Sequence, residues 1–185
     1  LSLRLLKKKL FGVVLQVRLM VIMMTGDSMK DKIIGVKIAH ECLANVKEEI
    51  KPLLEEHWEM VALNKGTIKL NPDWEEYARL DAAGILRAFT ARKDGKLVGY
   101  CVLTVSTSIH YSDHVFANND VTFVLPEHRA GATGYHLIKF AEDHCRDNGV
   151  SLMNINTKVH LPFDELLIGM GFDLIERIYS KCFKG

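Results

Sequence analysis

The sequence predicts an α/β domain in which strands and helices alternate along one chain, and three observations carry that reading. An apolar run, Val121 to Leu125, meets Pro126, passes through a small-residue turn and enters a helix directly. Asp94-Gly95 stands between two strand-like runs and marks a hairpin. From Ile33 onward the apolar period switches between alternation and helical spacing, without internal repeats or low-complexity segments. The 185 residues, 48% of them apolar, suit one domain with a sizeable core.

Ile34, Val36 and Ile38 alternate with Ile33, Gly35 and Lys37, which predicts a first strand. Val46, Ile50, Leu53, Leu54 and Val61 then recur near helical spacing, with Lys47, Glu48, Glu49, Glu55 and Glu56 on the wet side; Pro52 is expected to kink or restart this helix. Asn71-Pro72-Asp73 supplies a cap and a first-turn proline for a shorter helix holding Trp74, Tyr77, Ala78 and Leu80 to Ala82, which Gly84 stops. Ile85 to Ala91 and Leu97 to Val105 are the two hairpin strands. After the loop Ser106 to His114, a strand ends at Pro126 and a helix runs from Thr133 to about Asn148, where Gly149 stops it. Val150 to Ile155 predicts another strand, Phe163 to Met170 a short helix capped by Gly171, and Leu174 to Phe183 a final strand.

A formal net charge of +1 with 25% charged residues leaves no basic stripe, so neither nucleic acid nor an acidic membrane is implied as a partner. Cys42, Cys101, Cys145 and Cys182 form no C-x-x-C pair, which argues against a disulfide framework or a metal site and points to a reducing cytoplasm. The loop His110-Tyr-Ser-Asp113-His114 has metal-ligating residue types but no second ligand segment, and no metal is assigned. At the N-terminus, Lys7 to Lys9 precede an apolar stretch from Leu10 to Met24, superficially shaped like a signal peptide. Gln16 and Arg18 interrupt it, it is short for a bilayer span, and no small-x-small site follows. Residues 1–28 are therefore read as an extension, non-native or disordered, with an amphipathic arm or extra strand as the alternative, and residues 29–185 as the domain.

The turn before the long helix carries the chemistry. Gly131, Ala132 and Gly134 leave the amides of the helix's first turn uncovered, with Arg129, Ala130 and Thr133 completing the candidate binding stretch. Such amides lack intrahelical acceptors and sit at the positive end of the helix dipole, an arrangement that binds phosphate. Arg129 adds a charged fork. A strand-to-helix turn without any ligand is the plainer alternative.

Pro126-Glu-His-Arg129 followed by Gly131 and Gly134 resembles the acyl-CoA pyrophosphate loop of the GNAT (GCN5-related) N-acetyltransferases. In that family the pattern is Arg or Gln, two residues, Gly, any residue, then Gly or Ala; here Ala132 replaces the middle glycine and Gly131 lies one place earlier. The element order β, α, α, β, β, β, α, β, α, β is also the order of that family, over about Ile33 to Phe183. His57-Trp58-Glu59, Asn71-Pro72-Asp73-Trp74, His110-Tyr111, Asn119-Asp120 and Gly171-Phe172 are similar to segments of GNAT-type proteins encoded by phage and prophage genomes. The resemblance implies a central mixed, mostly antiparallel sheet flanked by helices, with acetyl-CoA as co-substrate and an amine as acceptor.

It also implies a site, residue by residue. The pantetheine arm would enter where the strand Val115 to Leu125 splays from Val150 to Ile155, pairing with backbone groups of Phe123, Val124 and Leu125. Asp120, sharing a strand face with Asn118 and Thr122, is the first candidate base; a solvated carboxylate or one paired with lysine is the plain alternative. His110, Tyr111 and His114 lie in the preceding loop, within expected reach of the acceptor. The family's usual acid, a tyrosine four residues before Gly-Phe, is Leu167 here, and His160 stands where an asparagine is common; Tyr179 or Tyr111 is the substitute acid. Direct transfer in a ternary complex is expected, because no cysteine or serine stands in an activated setting. A CoA-binding protein without turnover and a phage interaction protein are the other classes. The acceptor, whether small molecule, peptide or protein, is not legible, and a homodimer is allowed for.

Overall fold

The computed structural model of the chain describes residues 35–183. The extension at 1–28 and the predicted strand start at Ile33 lie outside them. The described chain falls into two units, Gly35–Pro162 with the residues from Ile178 onward, and Phe163–Arg177.

In the larger unit, β1 (Val36–Glu41) leads into α1 (Leu43–Val61) and α2 (Trp74–Ala82). The helix α1 passes through Pro52 without restarting. Proline costs it one amide bond, while Leu43, Val46 and Ile50 hold the apolar face in the core. Its first amide finds an acceptor on α2, since Leu43 N donates to Asp81 Oδ2 at 2.9 Å. The cap of α2 is Asp73, whose carboxylate accepts from Glu76 N at 3.0 Å, so Pro72 precedes the helix and does not sit in its first turn.

The hairpin β2 (Leu86–Lys93) and β3 (Lys96–Thr107) turns at Asp94 and Gly95, both at positive φ, 51° and 79°. Those are the dihedrals that match a two-residue turn to the twist of its strands. Next come β4 (Val115–Val124), a single 3₁₀ turn at Pro126–His128, α3 (Thr133–Asp147) and a three-residue β5 (Leu152–Asn154). The sheet has the order β1-β2-β3-β4-β5, antiparallel through β4, with β5 parallel to it. This is the mixed, mostly antiparallel sheet that the sequence led us to expect.

Each face of the sheet has its own core. On one, Leu43, Val46 and Ile50 of α1 pack with Tyr100, Val102 and Phe123, and Trp74, Tyr77 and Leu80 of α2 close the edge. On the other, Leu137, Ala141 and Cys145 of α3 cover Phe89, Cys101, Leu103 and Ala117. Among the described residues no helix is long and apolar enough to cross a membrane.

Gly99 of β3 faces Val124, and a Cβ placed there would meet Phe123 O at 2.9 Å and Val124 Cα at 3.3 Å. Because those atoms are backbone, relief requires moving the end of β4. Gly99→Ala is expected to destabilise the fold by about 1–3 kcal/mol, the usual cost of overpacking a core, measured by urea unfolding. Stability equal to the parent would show that β4 yields freely there.

In the smaller unit, α4 (Asp164–Gly169) ends at Met170 and Gly171, the latter at φ +92°. The final strand expected over Leu174 to Phe183 is not formed. Leu174, Ile178, Tyr179 and Phe183 are all exposed there, Tyr179 at 88%. Alternating apolar residues make a strand only where a neighbouring edge accepts their hydrogen bonds, and among the described residues no strand forms a ladder with Leu174, Ile178, Tyr179 or Phe183.

Candidate functional site

The end of β4 is where the two predicted features, an open strand edge and an uncapped helix, meet in sequence. Strand β5 pairs with β4 only at Phe116, Ala117 and Asn118. One residue further, Asn156 Nδ2 donates to Asn119 O at 3.3 Å, and beyond it no described strand covers that edge. The orientation of the backbone then follows from one bond. Leu125 N donates to Val98 O at 2.9 Å, so Leu125 faces β3, and alternation gives Phe123 the same direction. This corrects the expectation that Phe123, Val124 and Leu125 all turn their backbone groups to a ligand: Val124 does, together with Thr122, which sequence reasoning missed. Alternation along Val121 to Leu125 narrows the choice to every second residue, and the Leu125–Val98 bond decides which.

Asp120 sits at a β-bulge. Val102 faces Val121 and Leu103 faces Asn119, which leaves Asp120 as the extra residue of β4. The bulge turns Asp120 and Val121 to the side of α1 and α2, whereas Thr122 bonds Cys101 Sγ at 3.2 Å on the opposite side. Asp120 therefore does not share a face with Thr122, contrary to the simple alternation. Its Oδ2 accepts a hydrogen bond of 2.6 Å from Tyr77 Oη of α2. Burial, and then the Asp120 carboxylate, push the Tyr77 phenol above its ordinary range, so Tyr77 is a donor at any physiological pH.

Beside this pair lies a second polar contact. His57 of α1 places Nδ1 3.1 Å from Tyr100 Oη and stacks on Phe123 at 4.8 Å between ring centroids. Burial first, then the charges of Lys158 and Arg129, hold His57 down to about 4, so its imidazole is neutral at pH 7. Burial also raises the fully buried Tyr100 hydroxyl. Neither residue was singled out as functional from the sequence, although Val46, Ile50, Leu53 and Leu54 place His57 on the inward stripe of α1.

The loop after β4 leads to a helix start without side-chain protection. Ala132 is the N-cap of α3 and makes no side-chain cap, and no acidic residue stands in the first turn. The leading amides of α3 are thus orphan donors at the positive end of a 15-residue dipole. Gly131 offers open space around its Cα. Arg129, expected as a free fork, is engaged instead: Nε donates to Val124 O at 2.7 Å, and the guanidinium lies 5.2 Å from the Phe123 ring centre and 3.6 Å from Met60 Sδ.

The remaining candidates have other surroundings in their own elements. Tyr111 stacks on Phe116, four residues before Asp120, and His110 is exposed in the same loop. His160 lies in the turn bridged by Lys158 and Leu161, Leu167 is the buried residue of α4, and Tyr179 is in the irregular C-terminal segment. Cys101 is fully buried, which pushes its thiol up to about 12, and burial raises Cys145 as well. Neither is a nucleophile at neutral pH.

An open strand edge running into bare helix amides suits an extended ligand that ends in phosphate. The ribosomal-protein-alanine N-acetyltransferase of Brucella melitensis superimposes with a TM-score of 0.61 at 22% identity, covering 80% of this chain and 99% of that one. Glucosamine-6-phosphate N-acetyltransferase from Arabidopsis thaliana gives 0.62 at 15% identity over 80% and 98% of the two chains. A GCN5-related N-acetyltransferase from Ralstonia eutropha gives 0.65 at 14% identity over 80% and 99%. At these identities the structures speak for a shared fold. No curated protein sequence matches the chain. The profile of the Acetyltransferase (GNAT) family matches residues 47–162, from the first helix through the loop after β4 to the turn after β5, and the chain belongs to that family.

Proposed function

We propose that this protein is an acyl-CoA-dependent N-acyltransferase, moving an acetyl group from acetyl-CoA to an amine by direct attack in a ternary complex. The single observation that carries the proposal is the edge of β4, where Thr122 and Val124 turn their backbone groups away from β3 and no described strand takes them, just before the uncapped start of α3. The pantetheine arm pairs with Val124 as a short extra strand, and the pyrophosphate sits on the amides of Gly131 to Gly134 with Ala130 and Arg129 flanking it. The Thr122 amide is placed to polarise the thioester carbonyl, and such a preformed donor contributes about 3 kcal/mol to stabilising the oxyanion. Asp120, oriented by Tyr77, takes the proton of the attacking amine; the C–S bond breaks as the C–N bond forms, and the electron pair leaves on sulfur. Thiolate is a tolerable leaving group at neutral pH, so an acid, whether Tyr179, Tyr111 or water, adds little. The inert buried thiols support transfer without an acyl-enzyme.

Calorimetry with acetyl-CoA, followed by a screen of amines and peptides for release of CoA thiol, tests this reading. Binding with turnover on at least one amine is expected; a chain that does not bind acetyl-CoA contradicts it. A second reading, a CoA-binding protein without turnover, is favoured by the hydrocarbon of Leu167 where the family commonly has a tyrosine and by Ala132 in place of the middle glycine, and binding without transfer to any acceptor is its outcome. A phage or prophage source and a place in the cytoplasm belong to the same proposal and rest on sequence alone, as does a homodimer.

The proposal also treats residues 1–28 as dispensable for the domain. A chain starting at Met29 is expected to unfold at the same temperature as the long form and to bind acetyl-CoA equally well. A truncated chain that does not fold would make the arm part of the core.

A further inference from the structure

We propose that Arg129 is a specificity-determining residue that favours thioesters carrying a diphosphate over bare acyl-pantetheine at the β4 edge. The inference rests on the acyl-CoA reading above and concerns which donors that site rejects. Val124 is the residue whose backbone groups a pantetheine arm must use, and its carbonyl already accepts the Nε of Arg129 at 2.7 Å. A carbonyl has a second lone pair, but the guanidinium itself lies on the edge, held 5.2 Å from the Phe123 ring centre and 3.6 Å from Met60 Sδ. An incoming arm must displace it.

Displacement sacrifices a charge-assisted hydrogen bond and a cation–π contact. A ligand with a diphosphate replaces both, because its oxygens offer the guanidinium a charged, two-pronged partner beside the α3 amides. A bare acyl-pantetheine brings the same thioester and the same amides but nothing for Arg129, so it bears the full cost of moving the side chain. The two ligand classes differ by that coupling in addition to their direct phosphate contacts. Selection against the uncharged arm is thus built into the unliganded state, as an occupied carbonyl.

The sign of one measurement separates this from an ordinary phosphate contact. Calorimetry on the full chain compares the parent with Arg129→Ala, using acetyl-CoA and S-acetylpantetheine, which has no phosphate. Arg129→Ala is expected to bind acetyl-CoA on the order of tenfold more weakly and S-acetylpantetheine on the order of tenfold more tightly. A residue that only contacts phosphate would weaken the first and leave the second unchanged. Arg129→Met, which fills the space beside Phe123 and Met60 without a guanidinium, should show the same pair of changes, and unfolding temperatures of both variants check the fold. S-acetylpantetheine binding no tighter in either variant than in the parent, including no binding by any of the three at its solubility limit, overturns the proposal. A parent that fails to bind acetyl-CoA overturns the underlying acyl-CoA reading as well, whereas acetyl-CoA binding with no gain for S-acetylpantetheine removes Arg129 alone.

Discussion

Asp120→Asn is expected to lower acetyl transfer about a hundredfold or more while leaving acetyl-CoA affinity unchanged, the signature of a general base that touches the acceptor and not the cofactor. The asparagine keeps the shape of the bulge and still accepts the hydrogen bond from Tyr77, which in the parent is 2.6 Å long. What it loses is the capacity to receive a proton. The defect should shrink as pH rises, because more of the acceptor amine then arrives neutral and needs no base. A structural defect would not recover in this way; it would lower the unfolding temperature and the affinity for acetyl-CoA together. A variant as active as the parent at neutral pH would end the assignment of Asp120. The exposure of this carboxylate on the bulge is consistent with access by an external amine.

His57 sets the second large effect, on stability. Its folded-state value is held down to about 4, chiefly by burial between Tyr100 and Phe123, against an ordinary value of about 6.5 in the unfolded chain. Between those values the unfolded chain binds a proton that the folded chain refuses, so stability must fall as pH falls through this window. Between pH 7 and pH 5 the loss from this one group amounts to about 2 kcal/mol. Burial also lowers His40, His136 and His144, so the parent curve is a sum. The difference between the parent and His57→Gln isolates the one residue. The variant should be less sensitive to acid by about that amount in urea unfolding at the two pH values. Parallel curves for parent and variant would mean that His57 titrates normally and is not held neutral over Phe123.

Much of this arrangement was legible in the chain because it is local. Asp94-Gly95 dictates a hairpin through its own dihedrals, and the run from Val121 through Pro126 to the helix at Thr133 announces a strand, a stop and bare amides within a dozen residues. What was not legible depends on partners distant in sequence. The bulge at Asp120 arises from the register of β4 against β3, and no residue within β4 announces it. Tyr77 reaches Asp120 across 43 positions, and Tyr100 reaches His57 across the same separation. The direction of the Thr122 and Val124 amides needed one anchoring bond, Leu125 to Val98, before alternation could be applied. The segment from Leu174 to Phe183 has the composition of a strand and no ladder, since composition records a preference and pairing requires an edge.

The most direct test of the account is an amide NMR titration of the full chain with acetyl-CoA. If the open edge of β4 and the start of α3 hold the co-substrate, the amide resonances of Thr122, Val124 and Gly131 to Gly134 should move together and saturate at one equivalent, while those facing β3, Phe123 and Leu125, move less. Saturable binding that leaves Thr122, Val124 and the α3 amides unmoved, with the shifts elsewhere on the sheet, would contradict it.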